Sequence, residues 1–217
     1  ILNWGKAWSL IEVDITRGNL NPLPLAVSPL SVDQKSKERF KDLLKLDDIG
    51  AEISKVVENN LRQSGLFNPL DPNAFLQKPD IAHVKPRFED WALIKAQALI
   101  TGEVKIIDEK LRVEFRLWDI LAGKEIMALA FTTVTENWRR VGHIITDKVY
   151  ERLTGEKGYF DTRIIYVAEE GPKTSRIKKL AIMDQDGLNT KYLTLGNELV
   201  LTPRFNPTNQ MVTYLSY

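Results

Sequence analysis

Residues that could do chemistry are scarce in this chain. It has two histidines, His83 and His143, and no cysteine, so thiolate catalysis, disulfides and sulfur-ligated zinc or iron-sulfur sites are excluded. Neither histidine sits in a His-Glu-x-x-His pattern. His143 and Asp147 stand four apart and would share a helical face, a spacing that reads as a surface hydrogen bond or ion pair rather than a metal site. No Gly-x-Ser-x-Gly elbow, Walker loop or Gly-x-Gly-x-x-Gly stretch occurs. Glu89-Asp90 and Glu169-Glu170 read as solvated carboxylates in loops or at strand ends. Trp138-Arg139-Arg140 sets an aromatic ring beside two guanidinium groups, which could stack on a base. Against this, 30 basic and 29 acidic residues give a formal charge of +1, so no global field draws a polyanion, and Trp138 falls on an apolar helical stripe. The sequence points away from an enzyme, and no metal, cofactor or nucleic acid is expected.

What remains is recognition through backbone. From Leu10 to Asn21 (LIEVDITRGNLN), Ile11, Val13 and Ile15 alternate with Glu12, Asp14 and Thr16, and Arg17, Gly18, Asn19 and Leu20 lead the chain away. Such a segment can add as a strand to the edge of a partner's sheet, its backbone supplying affinity. It can equally be an edge strand of its own domain, because alternation does not say which sheet it joins. The segment precedes the first core strand, so Asp at both Val13 and Ile15 is expected to leave the domain folded.

The elements that would carry this segment follow from periodicity. With 217 residues, 43% of them apolar, the chain can bury a core, and no run approaches the length of a membrane span. Residues 21–30 (NPLPLAVSPL) read as a strand with proline confined to its ends. Asp47-Asp48 opens a helix in which Ile49, Ile53, Val56, Val57 and Leu61 recur at helical spacing, and Ser64-Gly65-Leu66 closes it with a Schellman-type cap. Residues 89–97 (EDWALIKAQ) read as a short second helix. The runs ALITGEVKII, KLRVEFRLWDI and KEIMALAFTTV have connections short enough to force an antiparallel meander. In its middle strand Leu111, Val113, Phe115 and Leu117 face one way, and Arg112, Glu114, Arg116 and Trp118 the other. Trp138, Val141, Ile145, Val149 and Leu153 mark a closing helix that stops at Gly155. Strands with helices on one face make an α+β two-layer sandwich. Beyond Arg163 the chain is strand and turn, with Asp184-Gln185-Asp186-Gly187 as a tight hairpin turn and two final strands, Glu198 to Thr202 and Gln210 to Leu215. This pattern suits a propeller blade, which needs further blades to cover it.

The beginning, ILNWGKAWSL, lacks Met, and Ala7-Trp8-Ser9 puts small residues at the two positions that a signal peptidase reads. Cleavage after Ser9 would expose Leu10. Export is therefore expected, the other reading being a frayed domain start.

Three stretches carry a resemblance: NNLRQSGLFNPLD (Asn59 to Asp71), NWRRVGHIITDKVYERLTGEKGYFDTRIIYV (Asn137 to Val167) and LAIMDQDGLNTKYLT with LTPRFNP. In order and spacing, from about Leu10 to Tyr217, the chain closely resembles the TolB family, periplasmic proteins of the Tol-Pal cell-envelope system. The resemblance implies residues 1–21 as signal remnant and recognition tail, residues 22–157 as an α/β domain similar to anticodon-binding domains, and residues 158–217 as the first blade of a truncated β-propeller. It implies a non-enzymatic periplasmic adaptor whose tail, Leu10 to Asn21, is recognised by the periplasmic domain of TolA. The propeller would bind the lipoprotein Pal, the two events together serving outer-membrane integrity and constriction at cell division. Only about one blade's strands are present, as expected for a fragment or a truncated gene, and this puts Pal binding in doubt and leaves a blade edge open to pairing. The alternative is an anticodon-domain-like nucleic-acid module fused to a propeller.

Overall fold

The computed structural model describes Ile11, Val13 and residues 21–82, 84–209 and 211–217. The chain forms two compact units, residues 1–158 and 159–217.

In the first unit, β1 (Leu23–Val27), β2 (Ser31–Val32), α1 (Gln34–Leu44), α2 (Ile49–Gln63) and β3 (Phe67–Pro69) come first. They are followed by α3 (Pro79–Ala82), α4 (Phe88–Leu93), β4 (Ala98–Ile107), β5 (Lys110–Asp119), β6 (Lys124–Val134) and α5 (Trp138–Thr154). The sheet runs β3-β1-β4-β5-β6, with β2 alongside β4. β1 pairs parallel with β3 and β4, while β4, β5 and β6 form the antiparallel meander. Pro69 has no N–H to give a ladder and lies in β3, at the sheet edge. Asp108 and Glu109, both with positive φ (50° and 58°), join β4 to β5 in the turn geometry that suits twisted strands.

The core lies on one face of this sheet. Leu111, Val113, Phe115 and Leu117 of β5 are at most 1% exposed, and they cluster with Ile53, Val57 and Leu61 of α2 and Val141, Ile145, Val149 and Leu153 of α5. Side chains alternate along a strand, so Arg112, Glu114 and Arg116 fall on the other face, where Arg112–Glu114 and Arg116–Glu125 ion pairs stay half-exposed. A second cluster joins Trp118 to Trp91, Leu99 and Ile120. In it Trp118 Nε1–H donates to Thr101 Oγ1 at 2.8 Å, and Trp91 Nε1–H to Gln77 Oε1 at 3.1 Å.

Local chemistry sets the helix ends. Asp48 caps α2 by accepting the Ala51 N–H at 3.0 Å, and Gly65 with φ 72° turns the chain out. α1 starts where Asp33 accepts both the Ser36 N–H and hydroxyl, at 3.0 and 2.7 Å. Those bonds hold the Asp33 carboxyl below its usual range. The helix expected over 89–97 is shorter, α4 ending at Leu93. Glu89 and Asp90 lie in its first turn instead of a loop, and hydrogen bonds from Arg87 and Gln77 lower the Asp90 pKa.

α2 and α5 meet at Gly142, where a Cβ would stand 2.8 Å from Val56 Cγ1, so only glycine permits this approach. Beside it lies a buried polar chain. Thr146 donates its hydroxyl to Gly142 O at 2.8 Å, so the Thr146 oxygen accepts from Asn60 Nδ2 at 3.2 Å. The other N–H of that amide faces His143 Nδ1 at 2.9 Å, which makes Nδ1 the acceptor. The surface role expected of His143 is thus corrected: it is 2% exposed and ties two helices together.

The second unit holds β7 (Arg163–Glu170), β8 (Ile177–Asp184), β9 (Lys191–Tyr192), β10 (Val200–Phe205) and β11 (Val212–Ser216). β7, β8 and β9 form one antiparallel sheet, and β10 and β11 pair with each other as a hairpin. The turn after β8 is wider than the Asp-Gly pattern predicts. Gly187, φ 81°, closes a turn on Asp184 O, but β9 starts only at Lys191. At the end of β7, Glu169 is held below the usual carboxylate range by hydrogen bonds from Lys178 and Arg176, a solvated ion-pair cluster. The class is α+β: a helix-covered mixed sheet followed by open antiparallel sheets.

Candidate functional site

The site begins at the free ends of two elements. β5 ends at Asp119, a carboxylate with no exposure. Its Oδ1 accepts the Ala122 N–H at 2.8 Å and so shapes the turn into β6. Its Oδ2 accepts the backbone N–H of Ile11 at 3.3 Å. α5 ends at Thr154, and the last carbonyls of a helix lack partners within it. The Val13 N–H donates to one of them, Leu153 O, at 2.8 Å. The backbone N–H groups of Ile11 and Val13 are therefore both held, one by a side-chain carboxylate and one by a helix-end carbonyl.

Their side chains point inward. Ile11 is 8% and Val13 6% exposed, and both belong to the cluster that contains Leu117 and Leu153. Burying one such side chain contributes about 1.5–3 kcal/mol. Asp at Val13 would set a carboxylate against this cluster, so the docked position of the tail, not the domain, is what that substitution is expected to lose, and Ile15 lies outside the described residues. Asn21, the last residue assigned to the tail, is exposed. Leu10, Glu12, Asp14, Ile15, Thr16, Arg17, Gly18, Asn19 and Leu20 lie outside the described residues. The sequence missed Asp119, which sits at a strand end and carries no motif. Its one available signal is position, a carboxylate opening the tight Ile120–Gly123 turn.

Concavities lie elsewhere on the first unit among the described residues. One, of about 490 Å³, separates α1 from the β4–β5 turn and is bridged by Arg39 and Glu109 at 2.7 Å. Another, about 210 Å³, lies over Ala128 and Ala130 on the open face of the sheet. Arg139 of the Arg-Arg pair stacks on its own neighbour, Trp138, at 5.5 Å, so that ring face is already covered.

A helix-backed mixed sheet with Ile11 and Val13 packed against it, followed by a unit of open antiparallel sheets, sets the class as a two-unit α+β protein. The family model for the TolB amino-terminal domain matches residues 11–126, and that for the TolB beta propeller domain matches residues 150–217. The chain belongs to the TolB family. It is 84% identical over 212 residues to the Tol-Pal system protein TolB of Pelagibacter ubique (strain HTCC1062), covering 98% of this chain and 48% of that protein. The chain thus spans about half the length of the curated relative it matches. The crystal structure of TolB from Acinetobacter baumannii has the same fold, with TM-score 0.72 at 22% identity, covering 91% of this chain and 44% of that one. Among the described residues no helix is long and apolar enough to cross a membrane.

Proposed function

We propose that this chain is the leading part of a non-enzymatic periplasmic adaptor of the Tol-Pal system. Its Leu10 to Asn21 tail is the handle for the periplasmic domain of TolA, residues 22–157 are the domain that carries the tail, and the propeller that starts at residue 158 is the surface for Pal. Family membership and the 84% identity to a Tol-Pal system protein support the system. The observation that carries the tail's role is the pair of main-chain bonds from Ile11 and Val13, with both side chains buried beside them. Strand addition to a partner uses these same donors and this same apolar face. Docking on the domain and binding to TolA are therefore mutually exclusive for these residues.

A calorimetric titration of the chain with the TolA carboxy-terminal domain, run beside a version beginning at Asn21, tests the reading. Binding by the longer chain alone is expected. Equal binding by both would remove the tail from the mechanism. The affinity from that titration should change little with salt, whereas binding by a polyanion-binding surface would weaken steeply.

A further inference from the structure

Asp119 is the last residue of β5. Side chains alternate along a strand, so it falls on the face of Leu117, the one the helices cover. A carboxylate there stands at the end of an apolar core, and it is wholly buried. Such a group must be met by hydrogen-bond donors, because its desolvation is otherwise uncompensated. Its two oxygens draw on two different segments. Oδ1 accepts the Ala122 N–H at 2.8 Å, just along the chain, and Oδ2 accepts the Ile11 N–H at 3.3 Å, from 108 positions upstream.

The two bonds differ in what can break them. Ala122 belongs to the turn at residues 120–123, and Asp119 pairs with Ala98 on one side and Lys124 on the other, so the sheet keeps that donor in place. Ile11 reaches the carboxylate only while the tail is docked. Val13 is anchored separately, by Leu153 O at 2.8 Å and by its side chain in the core cluster. Undocking therefore takes one of two donors from a buried carboxylate, and the carboxylate favours the docked state by the worth of that charge-assisted bond.

We propose that Asp119 is a positioning residue for the tail, a latch that sets the fraction of time Ile11 and Val13 lie on the first unit. Its consequence for partner binding rests on the reading of the tail as the handle for TolA, whereas the latch itself lies within this chain. The role needs a carboxylate. An asparagine has one acceptor oxygen where aspartate has two, and its NH2 can only donate. The Ala122 donor is nearer and fixed by the strands, so in Asp119→Asn the oxygen serves the turn and the NH2 confronts the Ile11 N–H. That variant keeps the turn and loosens the tail. An aspartate that merely shaped the turn would leave the tail unmoved when replaced in this way.

Amide hydrogen exchange in the intact chain reads both bonds at once. In Asp119→Asn protein Ile11 is expected to exchange about fivefold faster or more than in the parent, with Val13 faster too and Ala122 at the parent rate. Ile11→Pro breaks the same bond from the tail side without touching Asp119 or the turn, so it decides the matter should the Asp119 variant fail to fold. Val13 should exchange about fivefold faster in Ile11→Pro than in Ile11→Ala, which keeps the N–H. Parent rates at Ile11 and Val13 in Asp119→Asn would overturn the proposal. So would Ala122 opening as far as Ile11 in that variant, or equal Val13 rates in Ile11→Pro and Ile11→Ala. Titration of Asp119→Asn with the TolA carboxy-terminal domain separates the latch from the handle. Apparent affinity should rise by the factor by which Val13 opens, since only undocked tail is free to bind. Faster exchange with unchanged affinity supports the latch and removes the competition with TolA.

Discussion

Two strands, β5 in the first unit and β7 in the second unit, each offer a row of apolar side chains, β5 by alternating them with charges and β7 as the run Ile164 to Ala168 between charged ends. Their fates differ. Four consecutive same-face residues of β5 are at most 1% exposed, while β7 has no buried residue and its Ile164 is 41% exposed. The difference lies in the cover. Both α2 and α5 lie on the face of β5, and the second unit contributes only strands among its described residues. Strand patterning selects a face, but the element laid on that face decides whether it stabilises the fold. Ile11 and Val13 side with β5, because they reach a core already built by helices.

The largest effect should come from breaking the covered side. Ile53→Asp or Val57→Asp places an unpaired charge among residues with 0–2% exposure and should cost about 4 kcal/mol or more, unfolding the first unit. Ile164→Asp on β7 should stay within about 0.5 kcal/mol. The described tryptophans, Trp91, Trp118 and Trp138, all belong to the first unit, so their fluorescence reads that unit, and hydrogen exchange of the β7 and β8 amides in the same titration reads the second. Equal losses would erase the distinction between the strands.

Val13→Asp comes next. It should lower the stability read from the denaturation midpoint by about 2–3 kcal/mol, more than an exposed substitution and less than Ile53→Asp, because the tail can leave while the domain persists. An unchanged midpoint would mean that the docked tail adds nothing to the core. Asn60→Ala cuts the chain from Thr146 to His143 and should cost about 1–3 kcal/mol, read from the same titration, as buried partners lose their bonds.

The smallest effect has a pH signature. Asp33→Ala removes the α1 cap and should cost about 1 kcal/mol near neutrality. The Asp33 pKa is depressed in the folded state, so its contribution is full above its ordinary value of 3.8 and is lost as pH falls through the lower folded value. The mutant and parent should therefore differ fully down to the ordinary value of 3.8 and converge only as pH falls through the lower folded value, when their melting temperatures are compared across pH. A constant difference would assign the loss to something other than the charged cap.

Much of this was legible in the sequence, for identifiable reasons. α2 and α5 show their apolar stripe because each covers a sheet, and the meander shows because its turns are too short for any other pairing. α1 was missed: it buries only Ser36 and Phe40, too few residues to make a stripe, and it starts from an Asp33 cap that resembles a loop. The parallel pairing of β1 with β3 and β4 was also hidden, as three-residue registers leave no local pattern. His143 has the spacing of a surface residue because its partner Asn60 lies 83 positions away. The tail's alternation was visible, yet its owner was not, since Asp119 and Leu153 are more than 100 residues downstream of Ile11 and Val13.

Amide hydrogen exchange at Ile11 and Val13 in the intact chain tests the docked tail most directly. The account predicts exchange at least tenfold slower than in a peptide of residues 10–21, with Val13 the slower because its N–H sits 2.8 Å from Leu153 O. Exchange at the free-peptide rate at both positions would contradict it.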